Sequence, residues 1–329
     1  MIISQTPLRI SFVGGGTDLK SFYHQEDGMV LSTAIDKYVY VIIKERFDDK
    51  IYINYSVKEI VDNVSQIKHQ LVREAMKKVG IVKGVEITTL ADIPSEGSGL
   101  GSSSTVTVGL LNAMYNYVGK QVTLEQIARE ACEIEIDICR KPIGKQDQYV
   151  AAYGGLNKIT FHPDESVSVD KVSLFNKDLI QLGSRLLLFF TNKTRKSDAI
   201  LKKQKKTTGD KRAILRRMKD FVPKLESSLG RSKFTMLGKL LHENWLLKKS
   251  LVGSISNPEI NKMYKSAMDA GALGGKICGA GGGGFLLMYV PKAKQDKVRE
   301  ALSDYRELHF MLDSFGSRII FNVRRYSTK

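Results

Sequence analysis

Pro94–Gly109, PSEGSGLGSSSTVTVG, leaves a segment that reads as a strand (Val85–Leu90), passes Gly97, Gly99 and Gly101 with Ser98 and Leu100 between them, and enters a helical stretch through Ser102, Ser103 and Ser104. Glycines let a backbone approach a ligand closely and turn its N–H groups inward. The helix that starts near Ser103 presents unpaired N–H groups and the positive end of its dipole, a combination that suits phosphate. A serine hydroxyl at that end can also ligate magnesium. No Gly-Lys-Ser/Thr closes the loop, so it is not a Walker A motif. A flexible loop with a serine N-cap is the plainer reading, but the order strand, glycines, serines, apolar helix favours phosphate.

A second glycine run, Gly279–Gly284 (GAGGGG), matches G-x-G-x-x-G by letter. A dinucleotide fingerprint needs a strand before it and a helix after it. Here the order is reversed, with a helix before and the strand Phe285–Val290 after, so close approach to another loop or a ligand is the better reading. Elsewhere, strand patterns fall at Ile2–Ser4, Leu8–Val13, Tyr38–Glu45, Lys50–Asn54, Leu156–Phe161, Val167–Val172, Leu186–Thr191 and Ile319–Val323. Helical periodicity falls at Ile60–Val79, Thr105–Tyr117, Thr123–Arg140, Ala199–Phe221, Phe234–Ser250, Pro258–Ala270 and Ala293–Tyr305, with Thr123 and Gln126 as a capping box. The interleaving shows no regular βαβ series, so the expected class is α+β. For 329 residues two domains are expected, 1–170 and 171–329.

Lysine and arginine number 51 against 35 aspartates and glutamates, a formal net charge of +16 that favours anionic ligands. The excess is concentrated between Lys193 and Lys219, where twelve basic residues meet two acidic ones, Asp198 and Asp210. Nucleic acid is the rival partner such charge permits. Against it, no RNP, KH or zinc-finger pattern occurs, and aromatics do not interleave the basic stretch. The longest apolar runs are strand-sized, so no membrane span is expected. Three cysteines, Cys132, Cys139 and Cys278, lack metal spacing and fit a reduced, cytoplasmic protein. The scattered histidines offer neither a metal triad nor a nucleophile–base pair.

Glu135 lies in an apolar stripe with Ala131, Cys132, Ile138 and Cys139. A carboxylate there must be paired, protonated or bound to a cation; a salt bridge to Arg140 is the plain alternative. Asp147, in PIGKQDQYVAAYGG (Pro142–Gly155), and Asp18, in GGGTD, both read locally as helix N-caps or as functional acids.

Taken together these segments resemble the GHMP kinases. PLRISFVGGGTDL (Pro7–Leu19), PSEGSGLGSSSTV (Pro94–Val106) and KICGAGGGGF (Lys276–Phe285) look like that family's three motifs, in its order. GGGTDL and GKQDQYVAAYGGLN look most like the D-glycero-D-manno-heptose 7-phosphate kinases and the related fucokinase domain. The resemblance implies a two-domain fold, a ribosomal-protein-like N-terminal domain and a ferredoxin-like α/β sandwich, with an ATP cleft between them. It implies that Gly97–Ser104 cradle ATP, that Ser103 and Glu135 hold Mg²⁺, and that Asp147 is catalytic with Arg9 paired to it. Gly15, Gly16, Thr17, Asp18, Gly281 and Gly282 are expected at the sugar, and Arg195 at a phosphate on it. The implied reaction phosphorylates the anomeric hydroxyl of heptose 7-phosphate, giving the 1,7-bisphosphate used for GDP-heptose and surface glycans. Other GHMP acceptors, such as fucose, galactose, mevalonate or homoserine, are the alternatives. The expected partners are a sugar phosphate and ATP, with no nucleic acid or membrane, in a monomer or homodimer. Two departures stand out: Ser104 replaces the usual alanine, and Gly15-Gly16 replaces the galactokinase-type Glu-His.

Overall fold

The computed structural model describes residues 1–93, 97–194 and 198–323. In chain order its strands are β1 (Ile2–Val13), β2 (Gly28–Glu45), β3 (Ile51–Asn54), β4 (Lys58–Val61), β5 (Val85–Ala91), β6 (Leu156–Phe161), β7 (Val167–Lys171), β8 (Leu186–Phe190), β9 (Gly274–Ile277), β10 (Phe285–Tyr289), β11 (Leu312–Asp313) and β12 (Arg318–Asn322). The α-helices are α1 (Lys20–Tyr23), α2 (Gln70–Val79), α3 (Ser102–Tyr117), α4 (Leu124–Cys132), α5 (Gln146–Tyr153), α6 (Asn176–Gly183), α7 (Asp198–Thr207), α8 (Arg212–Gly230), α9 (Thr235–Leu251), α10 (Pro258–Asp269) and α11 (Gln295–Ala301). The class is α+β, as the sequence indicates.

β1 and β2 form the spine of the larger sheet, whose main path is β12-β1-β2-β5-β3-β4. β1 runs straight through Pro7, where two strands were expected; a slip of register against β2 between Pro7 and Leu8 accommodates the residue that has no N–H to share. β2 serves different partners along its length, β6 at its start and β5 at its end. α3 packs across β1 and β2, flanked by α2, α4 and α5.

The smaller sheet is antiparallel, in the order β8-β10-β9. Its strands LLLFF and FLLMY read as unbroken apolar runs because both faces are covered. On one face Leu186 and Leu188 join Phe285, Leu287 and Tyr289 in the main core. On the other, Leu187 and Phe189 join Leu286 and Met288 in a second core around Trp245. The chain then returns to the larger sheet, β12 pairing with β1 and β11 with β2. A single division near residue 170 does not provide for that return.

Three expected helices differ. Ile60 and Val61 of the first belong to β4, a hairpin strand against β3, and α2 starts only at Gln70. The Glu59 carboxylate accepts from the N–H groups of Lys68 and His69 and so fixes that restart. The stretch 199–221 divides into α7 and α8 around Gly209. The third helix stays α-helical to Cys132, with the Thr123 hydroxyl accepting from Gln126 N–H as expected, then continues as a π-helix over Glu133–Ile138.

Part of the basic stretch has a structural job. Glu26 accepts from Arg216 at 2.7 Å, Lys219 at 3.0 Å and Arg212 at 3.5 Å, so one carboxylate gathers three cations of α8 against the α1 segment. Burial pushes the Glu26 carboxyl up, but hydrogen bonds and charge from Lys219 and Arg216 outweigh that and hold it below its ordinary value. A depressed folded-state value means stabilisation that is present at neutral pH and lost as pH falls through that value. Glu26→Gln should therefore cost about 1 kcal/mol at pH 7. In thermal melts the gap from wild type should close on acidification; a gap unchanged at low pH would contradict this.

Candidate active site

The phosphate loop is held from below. Gly101, at φ +80°, is the N-cap of α3 in a left-handed conformation that favours glycine. Ser98 Oγ accepts from Leu100 N–H and lies 2.9 Å from Ser102 Oγ. The Leu100 carbonyl accepts from Arg9 N–H at 3.0 Å and the Gly99 carbonyl from an Arg9 guanidinium nitrogen at 2.7 Å. The second glycine run packs directly behind: a Cβ on Gly99 would lie 2.5 Å from the Cys278 carbonyl oxygen, and one on Gly279 would lie 2.7 Å from Gly99 Cα. The run thus serves backbone-to-backbone contact between the two loops.

Arg9, on β1, is 3% exposed and grips Asp147 with both prongs of its fork, Nε to Oδ1 and Nη2 to Oδ2, each at 2.7 Å. Burial pulls the guanidinium pKa down, but the Asp147 charge and hydrogen bonds outweigh it and push it up. Asp147 sits in the first turn of α5, near the positive end of that helix, and the N-cap is Lys145. Asp147 is therefore not the N-cap that local sequence allowed.

Glu135 is fully buried. The π-turn aims it at Ser103, whose hydroxyl donates to Glu135 Oε1 at 2.8 Å. Gln148 donates to Oε2 at 2.7 Å, and Lys141, not Arg140, supplies the ion pair at 2.9 Å. The Lys141 ammonium also lies 2.5 Å from Ser103 Oγ. A cation thus already stands between these two oxygens, and hard oxygen donors of this kind suit a small divalent ion that keeps its other positions for water and phosphate.

Asp18 is 5% exposed, and its Oδ1 accepts from Gly16 N–H at 2.8 Å. Burial first, then the charge of Asp147, pushes its carboxyl up. These groups open onto one cleft of about 390 Å³, lined by both glycine loops, Asp18, α7 and α9.

The cleft brings together Arg9, Asp147, Gly15, Gly16, Asp18, Gly97, Ser98, Gly99, Gly101, Ser102, Ser103, Ser104 and Gly281, with Glu135 just behind Ser103. Three expected residues do not line it. Thr17 Oγ1 donates to the carbonyls of Gly14 and Met29 and accepts from Met29 N–H, so it fastens the turn instead. Leu100 is buried and its backbone groups are engaged, while Gly282 N–H donates to Ile255 O at 2.7 Å. Arg195 lies outside the described residues. Lys141, Lys248, Lys276 and Ser11 also line the cleft. Lys276 stood inside the third motif and Ser11 inside the first, whereas Lys248 carried no local signal.

The family model for the GHMP kinases N terminal domain matches residues 59–155, and that for the GHMP kinases C terminal domain matches residues 225–307. The chain is 33% identical over 318 residues to D-glycero-alpha-D-manno-heptose 7-phosphate kinase of Campylobacter jejuni, covering 92% of this chain and 93% of that one. It belongs to the GHMP kinases. A GHMP mevalonate kinase of Thermococcus gammatolerans is 28% identical, over 78% of this chain and 74% of that one. Among solved structures, a D-glycero-D-manno-heptose 1-phosphate kinase from Bacteriodes thetaiotaomicron superposes with a TM-score of 0.83 at 25% identity, covering 99% of this chain and 100% of that one. The protein is thus a kinase with the GHMP fold, and among the described residues no helix is long and apolar enough to cross a membrane.

In this GHMP kinase, Gly99→Ala combines a left-handed backbone with a methyl driven into the Cys278 carbonyl. The two loops must separate, so nucleotide affinity measured by calorimetry should fall about tenfold or more, a loss of at least about 1.4 kcal/mol. Unchanged affinity would mean that the loop contact is dispensable.

Proposed function

We propose that the protein transfers the γ-phosphoryl group of ATP to the anomeric hydroxyl of a heptose that already carries a phosphate, D-glycero-D-manno-heptose 7-phosphate. The observation that carries this reading is the convergence of two pre-paired units, Arg9–Asp147 and Ser103–Glu135, on one glycine-walled cleft. The names of the Campylobacter and Bacteriodes relatives both join a heptose, a phosphate and a kinase, which favours the same class of acceptor here.

The α3 N-terminus and the Gly97–Ser104 loop would receive the ATP phosphates, with Lys141 at their flank. Ser103 and Glu135 would hold Mg²⁺, which when bound would neutralise charge on the nucleotide phosphates. Asp18 and the Gly15-Gly16 backbone would hold sugar hydroxyls. Asp147 Oδ2, on the cleft side of Arg9, would orient the attacking hydroxyl and take its proton as the new O–P bond forms and the bond to ADP breaks. In a loose phosphoryl-transfer transition state positioning and charge carry most of the catalysis. Arg9, locked on Asp147 and Gly99, would steady the charge between base and loop. The 1,7-bisphosphate would feed GDP-heptose and surface-glycan synthesis. Three unbridged cysteines favour a cytoplasmic site for it.

The test is ADP release from Mg-ATP with heptose 7-phosphate, heptose, mannose 6-phosphate, fucose, galactose, mevalonate and homoserine. Turnover on heptose 7-phosphate should exceed that on heptose by about tenfold or more in kcat/KM. Preference for an unphosphorylated acceptor would overturn the substrate, and no turnover on any would overturn the reading.

A further inference from the structure

Among the described residues four cationic side chains line the cleft, Arg9, Lys141, Lys248 and Lys276. Arg9 is matched by Asp147 and Lys141 by Glu135. The third carboxyl, Asp18, bonds to backbone and is itself pushed up by burial. Among the described residues, neither Lys248 nor Lys276 meets a carboxylate. Lys276, 2% exposed on β9, donates to the carbonyls of Ser11 at 2.6 Å and Phe12 at 3.3 Å, tying the small sheet to β1. Lys248, 6% exposed on α9, reaches a single acceptor, the Gly279 carbonyl.

An ammonium has three N–H groups, so Lys248 keeps two that this contact does not use. A buried cation without a counter-charge is costly, and the deficit is met when an anion arrives. Burial holds Lys248 down to about 8, against a pull upward from Cys278, and holds Lys276 well below its ordinary value. Ser11 Oγ, buried in the same wall, has no hydrogen-bond partner. The nucleotide phosphates have their own receptors in the α3 N-terminus, the serines and Lys141. Among the charges that act on Lys248 are those of Asp18 and Asp147, the two carboxylates assigned to the acceptor.

We propose that Lys248, backed by Lys276 and with Ser11 Oγ as a neutral donor, binds the phosphate monoester that the acceptor brings with it. Lys248 is then the residue that makes the enzyme select phosphorylated sugars. This rests on the reading of the acceptor as a sugar phosphate.

The experiment is calorimetric titration of the full chain, without ATP, with heptose 7-phosphate and with heptose, in wild type, Lys248→Met and Lys248→Arg. Wild type should bind the phosphorylated sugar about tenfold or more tightly than the other. Lys248→Met should erase that preference while keeping affinity for ATP and for heptose, and Lys248→Arg should retain part of it. A wild type that binds no sugar phosphate overturns both the acceptor reading and this inference. A wild-type preference that Lys248→Met keeps overturns the inference alone. So does a kcat loss in Lys248→Met equal for both sugars with the binding preference intact, since the ammonium would then serve the transferring group. If Lys248→Met fails to fold, inorganic phosphate on wild type decides: competition with heptose 7-phosphate but not with ATP is expected, and competition with ATP alone overturns the proposal.

Discussion

A buried guanidinium holds three elements of the cleft in register. Arg9 sits on β1, the strand that pairs with both β2 and β12, and its fork meets Asp147 on α5 while its third nitrogen meets the Gly99 carbonyl. Sheet, phosphate loop and helix are thereby fixed to one planar group. Lysine would offer a point charge and not the bidentate fork. Deleting the guanidinium would leave Asp147, 23% exposed at the cleft, without its cation, at a cost below the roughly 3–5 kcal/mol of a fully buried pair.

The second constraint is steric. The two glycine loops touch backbone to backbone, which brings a strand–loop–helix unit of the large sheet against the loop between β9 and β10 of the small one. Lys276 reinforces that seam by reaching across to β1. The cleft is therefore walled by elements from both sheets, and among the described residues its charged side chains are Arg9, Lys141, Lys248 and Lys276 against Asp18 and Asp147. That balance suits a site meant to gather phosphates, and it accounts locally for chemistry that the global charge of +16 leaves open.

Much of the site was legible because the chemistry is local. A glycine-serine loop between strand and helix states its purpose in consecutive residues, and Glu135 was conspicuous as an acid in an apolar stripe. Long-range placement was not legible in local sequence. Nothing near Asp147 points to Arg9, 138 residues away, and only the family resemblance paired the two. The π-turn at Glu133–Ile138 changes which face Glu135 presents, and periodicity counted at 3.6 residues does not register it. Lys141 took the place assigned to Arg140 for that reason. The hairpin Lys58–Val61 was hidden because apolar spacing at Val61, Val64 and Ile67 fits a helix until β3 supplies a strand partner. Lys248 looked like one more surface lysine on a basic helix; only packing against the loop at Gly279 buries it.

The most direct test of the Arg9–Asp147 unit is a double-mutant cycle on kcat, with Arg9→Met, Asp147→Asn and the two combined, all checked for folding. If the two side chains act as one device, the double variant should be no slower than Asp147→Asn alone, because the guanidinium has nothing left to orient. Losses that multiply would show two groups acting independently, and would contradict the account.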